Sequence, residues 1–198
     1  MTTREKILDA ALTLFAENGY SGTSVGQIAK AVGIKAPSLY KHFKGKEDIL
    51  NTLIDTAEAR YEVSFGSAAN IGKIPESPEE FVRVTMEKIR FTMCDPMIRK
   101  VRRFLVQEQF RNEKFAEVTN RHQVDGIQKM YEKIIEGMME EGLVRKDDPA
   151  MLSVQLTAPA AVLISKADRQ PHLQEEMLSG IEQHIRHFCR VYMKGERQ

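Results

Sequence analysis

The stretch SVGQIAKAVGIKAPSLYKHFKGKEDIL, residues 24–50, decides the fold, because it combines two short helical patterns, a glycine turn and a run of lysines. Ser24 followed three positions later by Gln27 is a capping-box pattern, which predicts that a helix starts directly after Ser24. Gly33 supplies the backbone conformation that a tight turn between helices needs, and a second helix is predicted to begin near Lys35. Together these elements predict a helix-turn-helix of the size that enters the major groove of DNA.

Both helical patterns have one apolar face and one polar face. In the first helix the apolar positions recur at helical spacing at Val25, Ile28, Ala29 and Val32. In the second, Leu39, Tyr40 and Phe43 alternate with Ser38, Lys41 and His42, and Pro37 suits the first turn because its missing N–H is not needed there. We therefore expect the apolar faces to pack inward and the polar residues to face a partner.

Charge is segregated along the chain. The formal net charge is only +1, which argues against a protein that coats nucleic acid indiscriminately. Between Glu17 and Glu47, however, there is no Asp or Glu, and five lysines fall in that interval: Lys30, Lys35, Lys41, Lys44 and Lys46. A solvated lysine face is the ordinary interpretation of such a run, but its coincidence with the helix-turn-helix favours DNA.

Cysteine usage and apolar runs indicate a soluble, cytoplasmic protein. Cys94 and Cys189 are far apart and form no CxxC motif, which favours reduced thiols in a cytosol, and Cys94 is expected to be a small core residue. The longest apolar run, residues 158–164, contains Pro159 and is shorter than the roughly 20 residues of a membrane span.

The remainder of the chain predicts an all-helical fold. Further helices are predicted over residues 4–17, 46–61, 78–93, from 96 past Phe110, 114–141, from 149 onward and 172–193. A flexible connection is predicted over residues 64–77, and the helix after Pro149 is expected to be buried on more than one side. The last two helices could form an antiparallel pair that meets its twin across a two-fold axis.

The motifs assembled over residues 4–54 resemble the tetracycline-repressor (TetR) family of bacterial transcriptional regulators. The resemblance rests on Gly19-Tyr20, Thr23-Ser24-Val25, Ile28-Ala29, Gly33-Ile34, Leu39-Tyr40, His42-Phe43, Lys46-Glu47 and Ile49-Leu50, all in the family's spacing. Residues 55–198 resemble the family only in length and helical character. The resemblance implies a DNA-binding domain over residues 1–50 and a ligand-binding and dimerisation domain over residues 51–198.

The resemblance also implies a role for each residue of the head. Ser24, Val25 and Gln27 would approach the DNA backbone; Lys35, Ala36, Pro37, Ser38 and Lys41 would face bases or flanking phosphates; Tyr40, His42 and Lys46 would hold phosphates. The reading helix contains no Arg, so it has no bidentate contact to guanine, and Lys35, methyl contacts and DNA shape would share the readout. Pro37 stands where the family often has Gly, so the base preference does not carry over.

Methionines and aromatic residues of the second half are the candidate lining of an apolar effector pocket, because such side chains adapt to irregular shapes. The candidates are Met86, Met93, Phe104, Phe110, Met130, Tyr131 and Met138. Each of them could equally be an ordinary core residue.

The resemblance therefore implies a ligand-responsive regulator, most simply a repressor, that binds a palindromic DNA operator as a homodimer and is released by a small-molecule effector. No cofactor is expected, and no catalytic motif indicates an enzyme. A metal site at His184, His187 and Cys189 is the weaker alternative to surface histidines. A helical protein-interaction adaptor with a vestigial head is the competing function.

Overall fold

The computed structural model describes residues 1–65, 73–111 and 113–194. Within these ranges the regular structure is helical, apart from one isolated antiparallel bridge between Val144 and Met193, which confirms the predicted all-helical class. The α-helices are α1 Thr3–Gly22, α2 Val25–Val32, α3 Ala36–Leu39, α4 Lys46–Phe65, α5 Pro78–Cys94, α6 Pro96–Glu108, α7 Glu113–Asn120, α8 Gly126–Glu140, α9 Pro149–Arg169 and α10 Gln174–Tyr192. A π-helical turn, Arg121–Asp125, precedes α8, and a 3-10 turn, Pro171–Leu173, precedes α10.

The helix starts follow the capping residues of the sequence. Ser77 Oγ accepts a hydrogen bond from the Glu80 amide at 3.1 Å at the start of α5. Asp148 Oδ1 accepts from the amides of Ala150 and Met151, at 2.9 and 3.2 Å, at the start of α9. Each cap satisfies N–H groups that have no partner inside the helix.

The chain divides into two compact units. Unit 1 comprises Met1–Glu62 and Pro96–Thr119, and unit 2 comprises Val63–Asp95 and Asn120–Gln198. The boundary after residue 50 stays a prediction about where the DNA-binding domain ends. Of the flexible connection predicted over residues 64–77, residues 66–72 lie outside the described ranges.

Unit 1 surrounds the helix-turn-helix with helices from two parts of the chain. Phe15 of α1 is fully buried, and its ring stacks on Phe104 of α6 with centroids 5.6 Å apart. Phe115 of α7 meets Phe104 edge-on at 5.4 Å. The prediction that α6 continues past Phe110 is wrong, since α6 ends at Glu108 and Phe110 is 90% exposed.

Unit 2 is built from α5, α8, α9 and α10, which pack around one apolar core. Residues 113–140 are continuously helical, as the periodicity predicts, but the π turn lies inside this run. Gly126 closes the π turn by donating its amide to Arg121 O, and a Cβ at Gly126 would lie 2.6 Å from that oxygen. The run ends at Gly142, which adopts a left-handed φ of 74°.

Within the single chain, α9 is buried on one side only, so its predicted burial on a second side stays a prediction. Leu152, Leu156 and Ala160 face the core, whereas Met151, Val154 and Val162 are 53%, 39% and 64% exposed. Helix α9 is also long and apolar enough, by length and composition, to cross a membrane, a criterion that core helices of soluble proteins meet as well. The exposed apolar positions, together with the exposed Ala158, recur at three- and four-residue spacing and therefore form one stripe along the helix.

The placement of Cys94 also differs from expectation. Cys94 is exposed rather than in the core, because it is the last residue of α5, and its Sγ accepts a hydrogen bond from Gln174 Nε2 at 3.6 Å. Cys189 is buried, and desolvation raises the pKa of its thiol to about 11. Burial therefore keeps the Cys189 thiol protonated at neutral pH.

Candidate nucleic-acid interface

The first helix of the helix-turn-helix is fixed by a reciprocal cap. Ser24 Oγ accepts from the Gln27 amide at 3.2 Å, and Gln27 Oε1 accepts from the Ser24 amide at 2.7 Å, which confirms the predicted capping box. Because Gln27 is occupied in this cap, its side chain holds a defined position on the exposed surface.

The turn between the helices is a Schellman motif. Gly33 has φ 77° and ψ 26°, its amide donates to Lys30 O at 3.1 Å, and the Ile34 amide donates to Ala29 O at 3.0 Å. This geometry needs a residue that tolerates the left-handed region, which is why Gly occupies the position.

The second helix, α3, is shorter than the sequence pattern suggests. Lys35 is its N-cap, and α3 ends at Leu39, after which the chain continues as turns. The His42 and Phe43 amides still donate to Leu39 O, at 2.9 and 3.1 Å, so the residues after α3 keep a compact helical course. Leu39 and Phe43 are 0% and 2% exposed, and they anchor this segment to the core of unit 1.

Most of the predicted DNA-binding side chains of this element are exposed to solvent. Ser24, Gln27, Lys35, Pro37, Tyr40, Lys41 and His42 are exposed, whereas Val25, Ala36, Ser38 and Lys46 are half-buried. Tyr40 is 56% exposed, so its ring lies more open than the sequence pattern suggests. The capped helix α2, the glycine turn and the buried anchors of the second helix together hold these residues on one rigid scaffold.

The exposed face is electropositive. Lys30, Lys35, Lys41 and Lys44 are exposed and lie in the acid-free interval of the sequence. The nearest acids along the chain, Glu47 and Asp48, occupy the first turn of α4, and Asp48 Oδ2 accepts from the Lys44 amide at 2.8 Å. The Asp48 carboxylate thus occupies the Lys44 amide and places a negative charge beside the start of α4, so the phosphate contact expected there stays a prediction that depends on the lysines.

Lys46 makes contacts inside unit 1 that the sequence did not indicate. Its Nζ donates to Tyr20 O at 2.7 Å and to Thr23 O at 2.8 Å, and it lies 4.3 Å from the centroid of the Tyr20 ring. An ammonium group has three N–H donors, so one remains for a phosphate oxygen. The phosphate contact of Lys46 stays a prediction, while its two carbonyl contacts tie α4 to the end of α1.

Tyr20 is also reached from α6. The Tyr20 amide donates to Glu108 Oε1 at 3.4 Å, and that carboxylate, in a side chain only 4% exposed, lies 3.4 Å from Arg111 Nη1. Burial, and to a smaller extent the charge of Glu47, raises the pKa of the Tyr20 phenol. Glu108 and Tyr20 are 88 positions apart, so no local sequence signal pairs them.

The predicted effector-pocket residues are not all brought together. Met86, Met93, Met130, Tyr131 and Met138 share the buried core of unit 2. Phe104 instead stacks in the core of unit 1, and Phe110 is exposed on the turn after α6. The five residues in unit 2 remain the candidate lining.

The histidines of α10 are not arranged as metal ligands. A ring nitrogen of His184 lies 3.0 Å from Leu156 O on α9, and His187 is exposed while Cys189 is buried. Among the residues placed by the structure, no group of three His, Cys, Asp or Glu side chains could hold a metal ion.

The helix-turn-helix can now be compared with known proteins. Residues 7–53 match the family described as "Bacterial regulatory proteins, tetR family". Residues 7–53 therefore form a TetR-type N-terminal domain. The TetR match covers α2, the Gly33 turn and α3, together with the start of α4, and so contains the DNA-binding element of the family.

Curated relatives are similar in the same region. The transcriptional regulator AcrR of Shigella flexneri is 46% identical over 57 residues, which is 29% of this chain and 26% of AcrR. The regulator IcaR of Staphylococcus epidermidis, a negative regulator of a biofilm operon, is 46% identical over 52 residues, which is 26% of this chain and 28% of IcaR. The similarity thus spans about a quarter of each relative's length.

Solved structures extend the likeness to the whole fold. SmeT, the repressor of a Stenotrophomonas maltophilia multidrug efflux pump, aligns with a TM-score of 0.72 at 20% identity, over 99% of this chain and 93% of SmeT. A SmeT-triclosan complex aligns with a TM-score of 0.78 at 20% identity, over 99% of this chain and 94% of that chain. The chain outside the helix-turn-helix therefore has the TetR-family fold.

Proposed function

We propose that this chain is a ligand-responsive transcriptional repressor that binds a palindromic operator as a homodimer. The observation that carries the proposal is the set of exposed lysines, Lys30, Lys35, Lys41 and Lys44, in an acid-free interval of the sequence that folds as a capped helix-turn-helix, anchored by the buried Leu39 and Phe43. Exposed lysines attract phosphates, and a rigid scaffold can fix the register of the second helix in a major groove.

The proposed contacts divide by chemistry. Lys41 and His42 lie on the exposed side after α3, where they would reach phosphates, and Lys35 with Ala36 and Pro37 would face base edges. Because no Arg stands in residues 35–43, discrimination would come from lysine contacts, methyl contacts and DNA shape rather than from a bidentate guanine contact.

The exposed stripe on α9 supports the homodimer. Met151, Val154 and Val162 leave apolar surface in solvent, and the intervening Ala158 and Ala161 are small and exposed, which lets another helix approach closely. A second copy would cover this stripe with the same stripe across a two-fold axis. A two-fold dimer would present two helix-turn-helix elements, which a palindromic operator matches.

Release by a small molecule is proposed for unit 2. Its core contains six adaptable methionines, Met86, Met93, Met130, Met138, Met177 and Met193, and one solved structure of similar fold is that of SmeT with triclosan. A ligand shifts the equilibrium only if it binds the DNA-free conformation more tightly than the DNA-bound one. The relatives matched are regulators rather than enzymes, and we propose no catalytic activity.

Selection of bound sequences from a random duplex pool by the full chain tests this function. We expect enrichment of one palindrome with half-sites about one helical turn apart, the spacing of a dimeric helix-turn-helix. Enrichment of a single half-site, or of no sequence at all, would contradict the proposal. The second result is the one that the protein-interaction adaptor predicts.

A further inference from the structure

Tyr131 of α8 is a buried polar group without a hydrogen-bond partner. Its side chain is 4% exposed in the core of unit 2, and its ring meets Phe81 edge-on at 6.3 Å. The Thr85 hydroxyl is near enough to lower the pKa of the phenol in the way a side-chain hydrogen bond does. The geometry of a full hydrogen bond is not met, however, so Tyr131 Oη has no satisfied partner among the described residues. Burial raises the pKa of the phenol to about 12, so it is a neutral O–H donor at physiological pH.

A second buried donor lies earlier on the same helical run. Gln123 Nε2, in the π turn before α8, is also buried without a partner among the described residues. Gln123 and Tyr131 are eight positions apart, and the π turn contains one residue more than an α-helical turn. Their angular separation about the helix axis is therefore close to that of residues seven apart in an uninterrupted α-helix. Residues at that spacing share one face. The two donors therefore lie about two turns apart on one stripe.

Unpartnered buried donors call for an explanation, because burial removes a polar group from water. A phenylalanine at position 131 would keep the aromatic packing and avoid the loss. A hydroxyl without a protein partner in an apolar core is explained if its hydrogen-bond partner is a ligand that binds reversibly.

The surroundings restrict what that molecule can be. The buried polar side chains of unit 2 within the described ranges are Thr85, Thr92 and Ser153, all uncharged, together with the Tyr131 phenol. Lys88 is half-buried, and its Nζ donates to Ser64 O at 3.2 Å. An ionised ligand would lose its hydration without gaining a buried counter-ion, which disfavours it strongly.

We propose that unit 2 binds a small, uncharged, largely apolar ligand that places a hydrogen-bond acceptor, such as a ketone or ester carbonyl, on the Tyr131 hydroxyl. The Gln123 amide is the second donor, available to a longer ligand that carries another acceptor. This inference rests on the proposed effector response and names the chemical class of the effector.

The test uses neutral probes that differ only in the acceptor. Acetophenone with ethylbenzene, and benzophenone with diphenylmethane, are pairs of similar shape in which one member has a carbonyl; benzoate adds a charged probe. Binding to the full chain and to Tyr131→Phe is measured by calorimetry or NMR titration. We expect at least one ketone to bind the native chain about tenfold more tightly than its hydrocarbon, and Tyr131→Phe to remove that preference without weakening hydrocarbon binding.

Tyr192→Phe is the matched control, because the Tyr192 hydroxyl already donates to Gln155 Oε1 at 2.5 Å. This control should keep the ketone preference, and Tyr131→Phe should melt no lower than the native chain, since it removes no hydrogen bond. The proposal is overturned if no neutral probe binds, if ketone and hydrocarbon bind equally, if Tyr131→Phe keeps the preference, or if benzoate binds most tightly.

Operator binding without ligand separates this inference from the proposed function. Tyr131→Phe should bind the selected operator as the native chain does. If the native chain selects no operator but the ketone preference follows Tyr131, the repressor proposal fails while the ligand site stands.

Discussion

Lys46 Nζ donates to Tyr20 O at 2.7 Å, so the first residue of α4 closes the end of α1. The same ammonium group donates to Thr23 O at 2.8 Å, directly before the cap of the helix-turn-helix. Lys46, which the resemblance predicts to bind a phosphate, therefore also links α4 to the end of α1.

Removal of this contact should destabilise unit 1. We expect Lys46→Ala to lower the free energy of unfolding by about 2 kcal/mol, because two hydrogen bonds from a charged donor to carbonyls are lost. Lys44→Ala removes the same charge from a nearby exposed position and should change stability by less than about 0.5 kcal/mol. Chemical denaturation of both variants is the measurement. Equal losses of stability would show that the carbonyl contacts of Lys46 do not stabilise the fold.

Gly19 and Glu108 should be coupled. Gly19 has φ 73°, and a Cβ there would lie 2.8 Å from Glu108 Oε1, whereas Gly33, at φ 77°, has nothing within 4 Å. Gly33→Ala incurs the strain of a left-handed residue, about 1–2 kcal/mol, whereas Gly19, at φ 73° and ψ 167°, lies in a backbone region that is essentially restricted to glycine. We expect Gly19→Ala to be the more destabilising of the two by at least about 1 kcal/mol, because its backbone strain is larger and because it also displaces a buried carboxylate.

A double-mutant cycle isolates the steric part of this effect. In a Glu108→Ala background, Gly19→Ala should cost less than it does in the native chain, because the steric clash is gone while the backbone strain remains. Full additivity of Gly19→Ala and Glu108→Ala would mean that the close approach does not contribute.

Tyr131 should make stability fall at alkaline pH. The pKa of this phenol is raised from 10.0 to about 12. The neutral phenol therefore leaves the free energy of unfolding unchanged below about pH 10, and that free energy falls as the pH rises towards 12. Between about pH 9 and about pH 11 the loss should be about 1.4 kcal/mol. Denaturant unfolding at both values, in the native chain and in Tyr131→Phe, is the measurement. The Cys189 thiol titrates in the same range in both chains and cancels in the comparison, so parallel pH dependences would contradict the buried-phenol assignment.

The stripe on α9 should govern assembly. Val162 is 64% exposed, and Val162→Arg would place a charge in the proposed two-fold contact. We expect this variant to sediment as a monomer at concentrations at which the native chain is a dimer. Val106→Arg, at an exposed valine of α6, is the control and should leave the dimer intact. A dimer that survives Val162→Arg would place the interface elsewhere.

Local signals predicted local structure well. Ser24 with Gln27, Ser77 with Glu80, and Asp148 each mark a helix start that the structure confirms, because a cap is formed by residues within four positions of one another. The pattern Thr2-x-x-Glu5, which caps α1, was an available signal of the same kind.

Contacts across the chain were not predictable in this way. The Glu108 contact to Tyr20 and the stacking of Phe104 on Phe15 depend on how distant helices meet, which no spacing rule encodes. The exposed stripe of α9, which the sequence predicts to be buried, could not be assigned a cover for a related reason. An apolar helix side predicts burial, but a single chain does not say whether the cover is its own core or a second copy.

Salt dependence of operator binding tests the central claim most directly. The native chain, Lys35→Ala, Lys41→Ala and the control Lys146→Ala, which removes an exposed lysine of unit 2, are titrated with the selected operator over a range of salt concentrations. A DNA-reading head predicts that Lys41→Ala weakens binding to all sequences and flattens the slope of log K against log salt by about one unit per protomer. Lys35→Ala should also relax sequence preference, and Lys146→Ala should bind as the native chain does. If neither head variant changed affinity or slope relative to Lys146→Ala, this face would not be the DNA-binding surface.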